Sequence, residues 1–325
     1  MKITLHSYGH ETGSTYLMCV DMVKVLEEMG HECEITLKVG EIKHSDLVIV
    51  VHPKDIMKVR KLKRYVRMDS IVLLFSPYPY GYLDAELAYM LITAKTMPLI
   101  THSSTLYGVI DKQAKELFAP ALYRKMKPNM HLVNFGPHPS FESARRNDKT
   151  KFIAPFNRYA EKNNDDHAAI TRRLTVMIKQ KLGDDTQHTF FHADPSLSHV
   201  DKHDVSMYDT RPQLESRTEF AEALRDYGMF LSVSSGESFG LFYLELLVSG
   251  VVGVFWEGDG WVERLLPGYR YKVGSKADAH AMALHVYENY EEAREYLHSR
   301  VIPFIRENYD LKKFCERTLE IGSCE

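Results

Sequence analysis

The sequence predicts an α/β protein of two successive domains, each with a parallel β-sheet and helices on its faces. Strand-like and helix-like segments alternate through the first half of the 325-residue chain, and such alternation is typical of parallel sheets with crossover helices. The pattern restarts after Phe135–Thr150, whose Pro, Gly and charged residues indicate a linker. The chain length also favours two domains. We therefore place the domains at residues 1–150 and 151–325.

The first domain begins with a strand, a turn and an amphipathic helix. The predicted strand Lys2–His6 is followed by a Gly/Ser/Thr turn at Gly9–Thr15 and by a helix that ends near Met29. Helical patterns separate most of the later strands. Those strands are predicted at Glu34–Leu37, Asp46–Val51, Ser70–Phe75 and Pro98–Thr101.

The second domain repeats this alternation and ends in helices. Its strands are predicted at Lys151–Phe156, Thr189–His192 and Met229–Val233, with helices over Asp165–Lys181 and near Leu214–Asp226, a further helix and strand within Phe239–Trp256, and mostly helix from Ala277 to Leu319. Ligands of parallel sheets gather at the carboxyl ends of the strands. The loops to consider are therefore Gly9–Thr15, Ser76–Tyr82, Asn157–Asn164 and Ser234–Phe239.

Composition excludes several classes of protein. Hydrophobic residues make up 44% of the chain and charged residues 26%, which is a globular balance rather than that of a disordered chain. The longest apolar stretch, Leu241–Trp256, is shorter than a membrane span and contains Glu245, so it predicts a core element. The four cysteines form no CxxC pair, which predicts neither a disulfide framework nor a cysteine zinc site and favours a cytoplasmic protein.

Charge is unevenly distributed. Residues 1–152 hold 21 Lys and Arg against 16 Asp and Glu, and the remainder holds 20 against 28. A polyanionic partner would therefore meet the first half of the chain. The excess is too small to indicate nucleic-acid binding by itself.

The segment Ser234–Glu245 is the most informative of the sequence. A strand ends near Val233, a Ser/Gly-rich loop follows, and a helix is predicted to begin near Phe239. The backbone N–H groups of Phe239, Gly240 and Leu241 would point out of its first turn, where the helix dipole favours anions. Gly240 would let a phosphate approach the backbone closely.

Two glutamates of this segment are candidate binding residues. Glu245 is the one charged residue of the stretch Leu241–Trp256, and a buried carboxylate needs hydrogen-bond donors, which a ribose diol would supply. The alternative is a core glutamate paired with an arginine or with backbone amides. Glu237 would bond hydroxyls of a sugar, and its alternative is a helix-capping acid.

The spacing of Glu237 and Glu245 resembles the E-x7-E pattern of retaining nucleotide-sugar glycosyltransferases with the GT-B fold. The resemblance implies that Glu245 binds the nucleotide ribose and that Glu237 lies beside the donor sugar and phosphate. Phe152–Lys162 resembles the strand and G-R-x-x-x-x-K loop of that family, which implies that Arg158 and Lys162 grip the donor diphosphate. Asn157 replaces the usual glycine, and Lys162 comes one residue early.

Further segments extend the resemblance. Glu257–Glu263 resembles the loop before a further acidic residue, and Tyr287–Ile321 resembles the C-terminal tail that packs on the first domain. The resemblance implies a GT-B fold of two Rossmann-like α/β domains facing across a cleft, with the C-terminal helices returning to the first domain. It also implies a UDP- or GDP-sugar as co-substrate, with neither a bound cofactor nor a metal ion, because fixed cations and a helix N-terminus meet the charge of the leaving diphosphate.

The family places its acceptor in the first domain. Gly13, in the loop Gly9–Thr15, and His102, after a strand, are candidate contacts of the donor; a structural histidine is the alternative for His102. Pro77–Tyr82 offers three tyrosines for stacking on a base or sugar ring, or else forms a buried aromatic turn. Lys58–Arg67 places six cations on a helix, which is either a solvated face or a contact with DNA phosphates.

A shorter resemblance favours DNA. Leu244–Trp256 and Leu132–Pro137 are similar to the matching segments of phage DNA α-glucosyltransferases. This resemblance implies double-stranded DNA as partner and a hydroxymethylated pyrimidine, flipped from the stack, as acceptor. A small-molecule, glycan or lipid acceptor is the alternative.

Two other classes of protein stay open. His188, His192, His199 and His203 lie among Asp194, Asp201 and Asp204, which is a pattern that a metal-dependent hydrolase would also show. Pro195 interrupts the single helix that would align these histidines. The last class is a binding protein that keeps only the fold.

Overall fold

The chain forms two compact units. The computed structural model describes residues 1–7, 14–51, 53–75, 84–141, 147–155, 163–192, 207–212, 214, 216–237 and 239–323. Unit 1 consists of Met1–Gly136 together with Tyr309–Glu325, and unit 2 consists of Pro137–Asn308. The first crossing between the units lies inside the segment that the sequence predicts as a linker.

Unit 1 is built on a six-stranded parallel sheet. Its strands are β1 (Lys2–His6), β2 (Glu32–Thr36), β3 (Ser45–Val50), β4 (Met68–Phe75), β5 (Leu99–Thr101) and β6 (Met130–Leu132), in the spatial order β2-β1-β3-β4-β5-β6. Its first helices are α1 (Ser14–Glu28), α2 (Ile56–Leu62), α3 (Asp84–Leu91), α4 (Ser104–Leu117) and α5 (Pro120–Met126). The central strands are almost continuously apolar because helices cover both faces of the sheet.

Unit 2 has a second six-stranded parallel sheet. Its strands are β7 (Asp148–Ile153), β8 (Gln187–His192), β9 (Tyr208–Pro212), β10 (Tyr227–Ser232), β11 (Val252–Trp256) and β12 (Lys272–Val273), in the order β12-β11-β10-β7-β8-β9. Its helices are α6 (Asn164–Leu182), α7 (Arg217–Leu224), α8 (Leu241–Val248), α9 (Trp261–Leu265), α10 (Ala279–Glu288), α11 (Tyr290–Tyr296) and α12 (Ile302–Asn308). The predicted pair of parallel-sheet α/β domains is therefore confirmed. The sequence missed the short edge strands β6, β9 and β12.

The last helix, α13 (Leu311–Ser323), completes unit 1. It packs on α1 and β4, and Phe314 meets Phe135 edge to face with ring centroids 5.0 Å apart. The chain at Gly136 approaches the chain at Tyr309 closely, and this approach requires glycine, since a Cβ atom at position 136 would lie 2.3 Å from the Tyr309 carbonyl oxygen. The predicted return of the C-terminal helices to the first domain is made by α13, whereas α10–α12 bury their apolar residues within unit 2.

Within the described part of the chain, no helix has both the length and the apolar character needed to cross a membrane.

We predict that Gly253→Ala destabilises unit 2. Gly253 lies on β11, and a Cβ atom there would be 2.3 Å from Cζ of the buried Phe230 ring. Forcing extra volume into a packed core costs about 1–3 kcal/mol. Gly274→Ala is the matched control, because a Cβ atom at that position would have no neighbour within 4 Å. Urea unfolding measures both variants; equal midpoints would contradict the close contact with Phe230.

Candidate functional site

The strand order of the second sheet reverses between β7 and β10. The connections that leave two neighbouring strands at such a point run to opposite faces of the sheet, so a crevice opens at their carboxyl ends. The loops after β7 and β10 are two of the four that the sequence singled out. Topology alone therefore places a candidate ligand site at this edge of unit 2.

A hydrogen bond joins these two loops. The Asn163 side-chain amide donates to the carbonyl oxygen of Val233 over 2.8 Å. Asn163 has a left-handed backbone conformation (φ 52°), which asparagine tolerates better than most residues. The end of the loop after β7 is thereby fixed to the start of the loop after β10.

His167, in the first turn of α6, bonds residues of two strands, Leu231 of β10 and Tyr208 of β9. Its Nε2 donates to the Leu231 carbonyl oxygen over 2.9 Å, and its Nδ1 accepts from the Tyr208 hydroxyl over 2.9 Å. Burial lowers the pKa of His167 to about 4, so the ring is neutral at pH 7. This neutral ring, with one donor and one acceptor, matches its two partners.

The loop after β10 holds Glu237 at the crevice. The Ser234 hydroxyl lies 3.1 Å from both the Gly236 carbonyl oxygen and Oε1 of Glu237, and these two acceptors share its single proton. Ser234 is buried, whereas Glu237 is half-buried. The carboxylate is thus oriented by a fixed hydroxyl and remains partly open to solvent.

A second loop, Glu257–Trp261, supports this one. The Trp261 indole N–H donates to the Ser234 carbonyl oxygen over 3.0 Å, and the Asp259 N–H donates to the Ser235 carbonyl oxygen over 3.0 Å. Gly258 has a φ of 57°, and a Cβ atom there would lie 2.4 Å from the Ser235 carbonyl oxygen. The close approach of the two loops therefore requires glycine at this position.

An aromatic cluster packs beneath the loop after β10 and the loop Glu257–Trp261. Tyr243 of α8 packs on Trp261 and Phe255 with ring centroids 5.1 and 5.5 Å apart, and its hydroxyl accepts from the Ser232 hydroxyl over 2.9 Å. All of these side chains are buried. Large buried rings with satisfied polar atoms give the loops a rigid base.

The start of α8 differs from the prediction. The helix begins at Leu241, and its N-cap is Gly240 with a left-handed φ of 79°. Phe239 lies before the helix and is buried. The predicted anion-binding role of the Phe239 and Gly240 N–H groups stays a prediction, because the structure places Gly240 at the N-cap and Phe239 before it, ahead of the first turn. Leu241 keeps its predicted place in it.

Glu245 forms an ion pair in the core of unit 2. Its Oε1 is bonded by Nη2 of Arg217, and its Oε2 lies 3.4 Å from Nη1 of the same guanidinium. The Glu245 side chain is 3% exposed and that of Arg217 is 15% exposed. The guanidinium also lies over the Phe141 ring, 4.8 Å from its centroid. The structure thus contains the core pairing that the sequence left open as the alternative for Glu245.

In unit 1, His102 follows β5 directly. It is 3% exposed, and its carbonyl oxygen accepts from the Phe135 N–H over 3.1 Å. The strand order of this sheet reverses between β1 and β3. There the buried His6 lies 3.2 Å, Nε2 to Oδ2, from Asp55.

Several predicted site residues lie outside the described part of the chain. They are Arg158, Lys162, Gly13, the tyrosine loop Pro77–Tyr82, and His199, His203, Asp194, Asp201 and Asp204 of the histidine cluster. Their predicted roles stay predictions.

His188 of the histidine cluster is a core residue. Its Nε2 lies 2.9 Å from the Thr175 hydroxyl and 3.0 Å from that of Thr186, and burial lowers its pKa to about 3. Among the described residues, no group of three or more His, Cys, Asp or Glu side chains could hold a metal ion. Nε2 of His188 therefore contacts two threonine hydroxyls and does not belong to a metal site among the described residues.

Four residues that build the site were not predicted individually from the sequence: Asn163, His167, Arg217 and Ser234. Asn163 had a signal, since it lies in the loop Asn157–Asn164, one of the four loops that the sequence singled out. Arg217 had none, because its partner Glu245 is 28 residues away and the pairing depends on how α7 packs against α8.

Comparison with solved structures gives the fold. The chain is similar to sucrose-phosphate synthase from Thermosynechococcus elongatus, with a TM-score of 0.72, 10% identity and 98% of each chain covered. It is also similar to an α-glucosyltransferase in complex with UDP and a 13-mer DNA containing an HMU base, with a TM-score of 0.62, 11% identity and 99% of each chain covered.

A third similar structure is the pneumococcal O-GlcNAc transferase GtfA in complex with UDP and GlcNAc. Its TM-score is 0.60 at 14% identity, over 96% of this chain and 60% of that one. The chain spans 54% of the length of another such protein, TarM. No protein-family model and no curated protein matches the sequence. The chain has the GT-B fold, and at these identities the likeness shows the fold alone.

We predict that the neutral His167 makes unit 2 sensitive to acid. Its pKa of about 4 in the folded chain is below the ordinary 6.5, so the unfolded chain takes up the proton first. The free energy of unfolding therefore falls as the pH drops from 6.5 to about 4, by up to about 3 kcal/mol for this group.

Urea unfolding at pH 7 and pH 4 measures this effect. His167→Gln keeps a donor for the Leu231 carbonyl but has no titrating ring, so its loss of stability between the two pH values should be smaller than that of the unmodified chain. His285→Gln, at an exposed position, is the control. Equal losses in His167→Gln and the unmodified chain would refute the assignment.

Proposed function

We propose that this chain is a nucleotide-sugar-dependent glycosyltransferase whose donor binds at the carboxyl edge of the second sheet. The observation that carries the proposal is the joined pair of loops at the β7/β10 reversal. There Asn163 bonds Val233, and the next residue, Ser234, orients Glu237. In this GT-B fold, the strand reversal places the Glu237 carboxylate, held by Ser234, near the start of α8 at Gly240. A carboxylate and a helix start together can bind the sugar and the diphosphate of a nucleotide-sugar donor.

Transfer requires stabilisation of the leaving group. As the bond between the sugar C1 and the diphosphate oxygen breaks, its electron pair goes to the diphosphate, and negative charge develops there. The oxygen of the acceptor hydroxyl bonds to C1, and its proton passes to the departing diphosphate. Arg158 and Lys162 are the cations that we assign to this charge, as the resemblance implies. Fixed positive groups lower the barrier because they are already in place when the charge appears.

The two glutamates take separate roles in this proposal. Glu237 accepts hydrogen bonds from hydroxyls of the transferred sugar, since its carboxylate is partly exposed and is turned by Ser234. Glu245 accepts from the ribose diol, and Arg217 holds its carboxylate in position.

The acceptor that we propose is a hydroxymethylated pyrimidine in double-stranded DNA, with retention at the sugar carbon, as in a phage-encoded DNA modification. The short resemblance to phage DNA α-glucosyltransferases supports it. So does the similarity of the fold to an α-glucosyltransferase solved with DNA, together with the excess of cations in residues 1–152.

A donor-by-acceptor assay tests this function. UDP- and GDP-sugars are incubated with hydroxymethylated DNA, unmodified DNA and simple sugars, and nucleotide release and acceptor mass are measured. We expect a mass gain of one sugar on hydroxymethylated DNA alone. Transfer only to a simple sugar would refute the DNA acceptor, and no turnover of any donor would refute the transferase.

Two variants test the mechanism in the same assay. Arg158→Ala and Lys162→Ala should each lower turnover about 100-fold, the loss typical of removing one group that stabilises transition-state charge. Lys179→Ala, an exposed lysine on α6, is the matched control. Turnover that is unchanged in both site variants would remove the cations from the mechanism.

A double variant separates the structural role of Glu245 from its ribose role. Removing one partner of a buried ion pair costs about 3–5 kcal/mol, whereas replacing both by apolar residues of similar volume is often neutral. We therefore expect Glu245→Gln and Arg217→Met to destabilise the chain, and the Glu245→Met/Arg217→Met double variant to recover most of the loss in urea unfolding.

Calorimetric binding of UDP and 2′,3′-dideoxy-UDP to the recovered double variant then reports on the ribose. If Glu245 accepts from the diol, the double variant binds UDP as weakly as the dideoxy compound. A preference for UDP equal to that of the unmodified chain would leave Glu245 a purely structural role.

A further inference from the structure

The cations of the segment Lys58–Arg67 fall into two groups. Two of them are neutralised: Lys58 Nζ lies 2.6 Å from Oδ1 of Asp55, and Arg67 bonds both carboxylate oxygens of Asp69 at 2.9 and 3.2 Å. These two contribute little net positive charge to the surface.

The other four cations have no carboxylate partner among the described residues. They are Arg60, Lys61, Lys63 and Arg64. Nη2 of Arg60 donates to the Thr96 hydroxyl over 3.2 Å, and Lys63 donates to the Asp69 carbonyl oxygen over 3.4 Å. Both partners are neutral, so the positive charge remains.

Three of these cations surround a pocket. It has a volume of about 300 Å³ and is lined by Arg60, Lys63, Arg64, Thr96, Ile71 and Met97. We call this the basic pocket. Two guanidinium groups and an ammonium group are donors without acceptor atoms, and guanidinium groups match the geometry of a phosphate.

The basic pocket lies at the amino edge of the first sheet. The turn after α2 leads into the start of β4, and Thr96 and Met97 lie just before β5. The strands are parallel, so their carboxyl ends lie at the other edge, about 25 Å away along the eight residues of β4. The basic pocket is therefore separate from the strand reversal between β1 and β3.

The surface around the basic pocket fits a nucleic acid better than a membrane. The apolar residues of this region, Met57, Leu62 and Val66, pack against the core of unit 1 and are not available for insertion into lipid. Tyr65 is 86% exposed beside Arg64. Cations with one exposed ring suit a sugar-phosphate backbone and a base or sugar face.

We propose that the basic pocket binds the phosphate backbone of double-stranded DNA, as an anchoring surface apart from the site of sugar transfer. This inference rests on the proposed DNA acceptor and deepens it. Binding at a distance from the reacting base positions the duplex and carries no sequence information. The anchor therefore affects the affinity for DNA and leaves the chemistry on the donor untouched.

Fluorescence anisotropy with a labelled DNA duplex tests the inference on the full chain. Lys63→Gln/Arg64→Gln removes two exposed cations of the basic pocket, and Lys24→Gln/Lys312→Gln removes two exposed cations elsewhere on unit 1. We expect the first variant to bind about tenfold more weakly at about 100 mM salt, with the slope of log K against log salt reduced by about 2. The control variant should bind like the unmodified chain.

Two further readouts keep the outcomes separate. Donor hydrolysis without DNA should be equal in all three proteins, and equal melting temperatures show that the fold survives. Equal DNA affinity and salt slope in both variants would overturn the inference while leaving any sugar transfer to DNA intact. Unmodified chain that neither binds nor modifies DNA would overturn both proposals. A loss of binding to phosphatidylglycerol vesicles with unchanged DNA affinity would replace the nucleic acid by a membrane.

Discussion

The reversal of strand order between β7 and β10 is the constraint on which the candidate site depends. Neighbouring parallel strands whose connections leave to opposite faces cannot cover their own carboxyl ends, so the crevice follows from topology and not from any one side chain. The side chains then make it rigid. Asn163 bonds the loop after β7 to the loop after β10, and Trp261, which packs in the aromatic cluster, bonds the loop after β10. A site assembled in this way is in place before any ligand arrives.

Two buried polar side chains of unit 2, His167 and Glu245, depend on specific partners, and these partners restrict the protonation states that the core tolerates. His167 needs one protonated and one unprotonated nitrogen to serve Leu231 and Tyr208. The carboxylate of Glu245 needs the guanidinium of Arg217 because a lone charge at that depth is costly. The unit is therefore more stable while these groups keep their protonation states.

Local patterns in the sequence were sufficient for the fold and for part of the site. Alternating segments predicted two parallel sheets, and the Ser/Gly loop between an apolar strand and an apolar helix marked the segment at Glu237. The sequence could not show that Gly240 adopts a left-handed φ and moves the helix start to Leu241, because glycine permits either conformation. Nor could it pair Glu245 with Arg217, since that contact arises from packing between elements distant along the chain.

Because α13 completes unit 1, the first unit is made of two separate pieces of chain, with all of unit 2 between them. A ribosome delivers the pieces in order, so unit 2 has every residue of its core available before unit 1 does. The groove that later receives Phe314 beside Phe135 stays open to solvent throughout that interval. Vectorial synthesis thus leaves unit 1 as the part of the molecule that is exposed longest to chaperones and to aggregation.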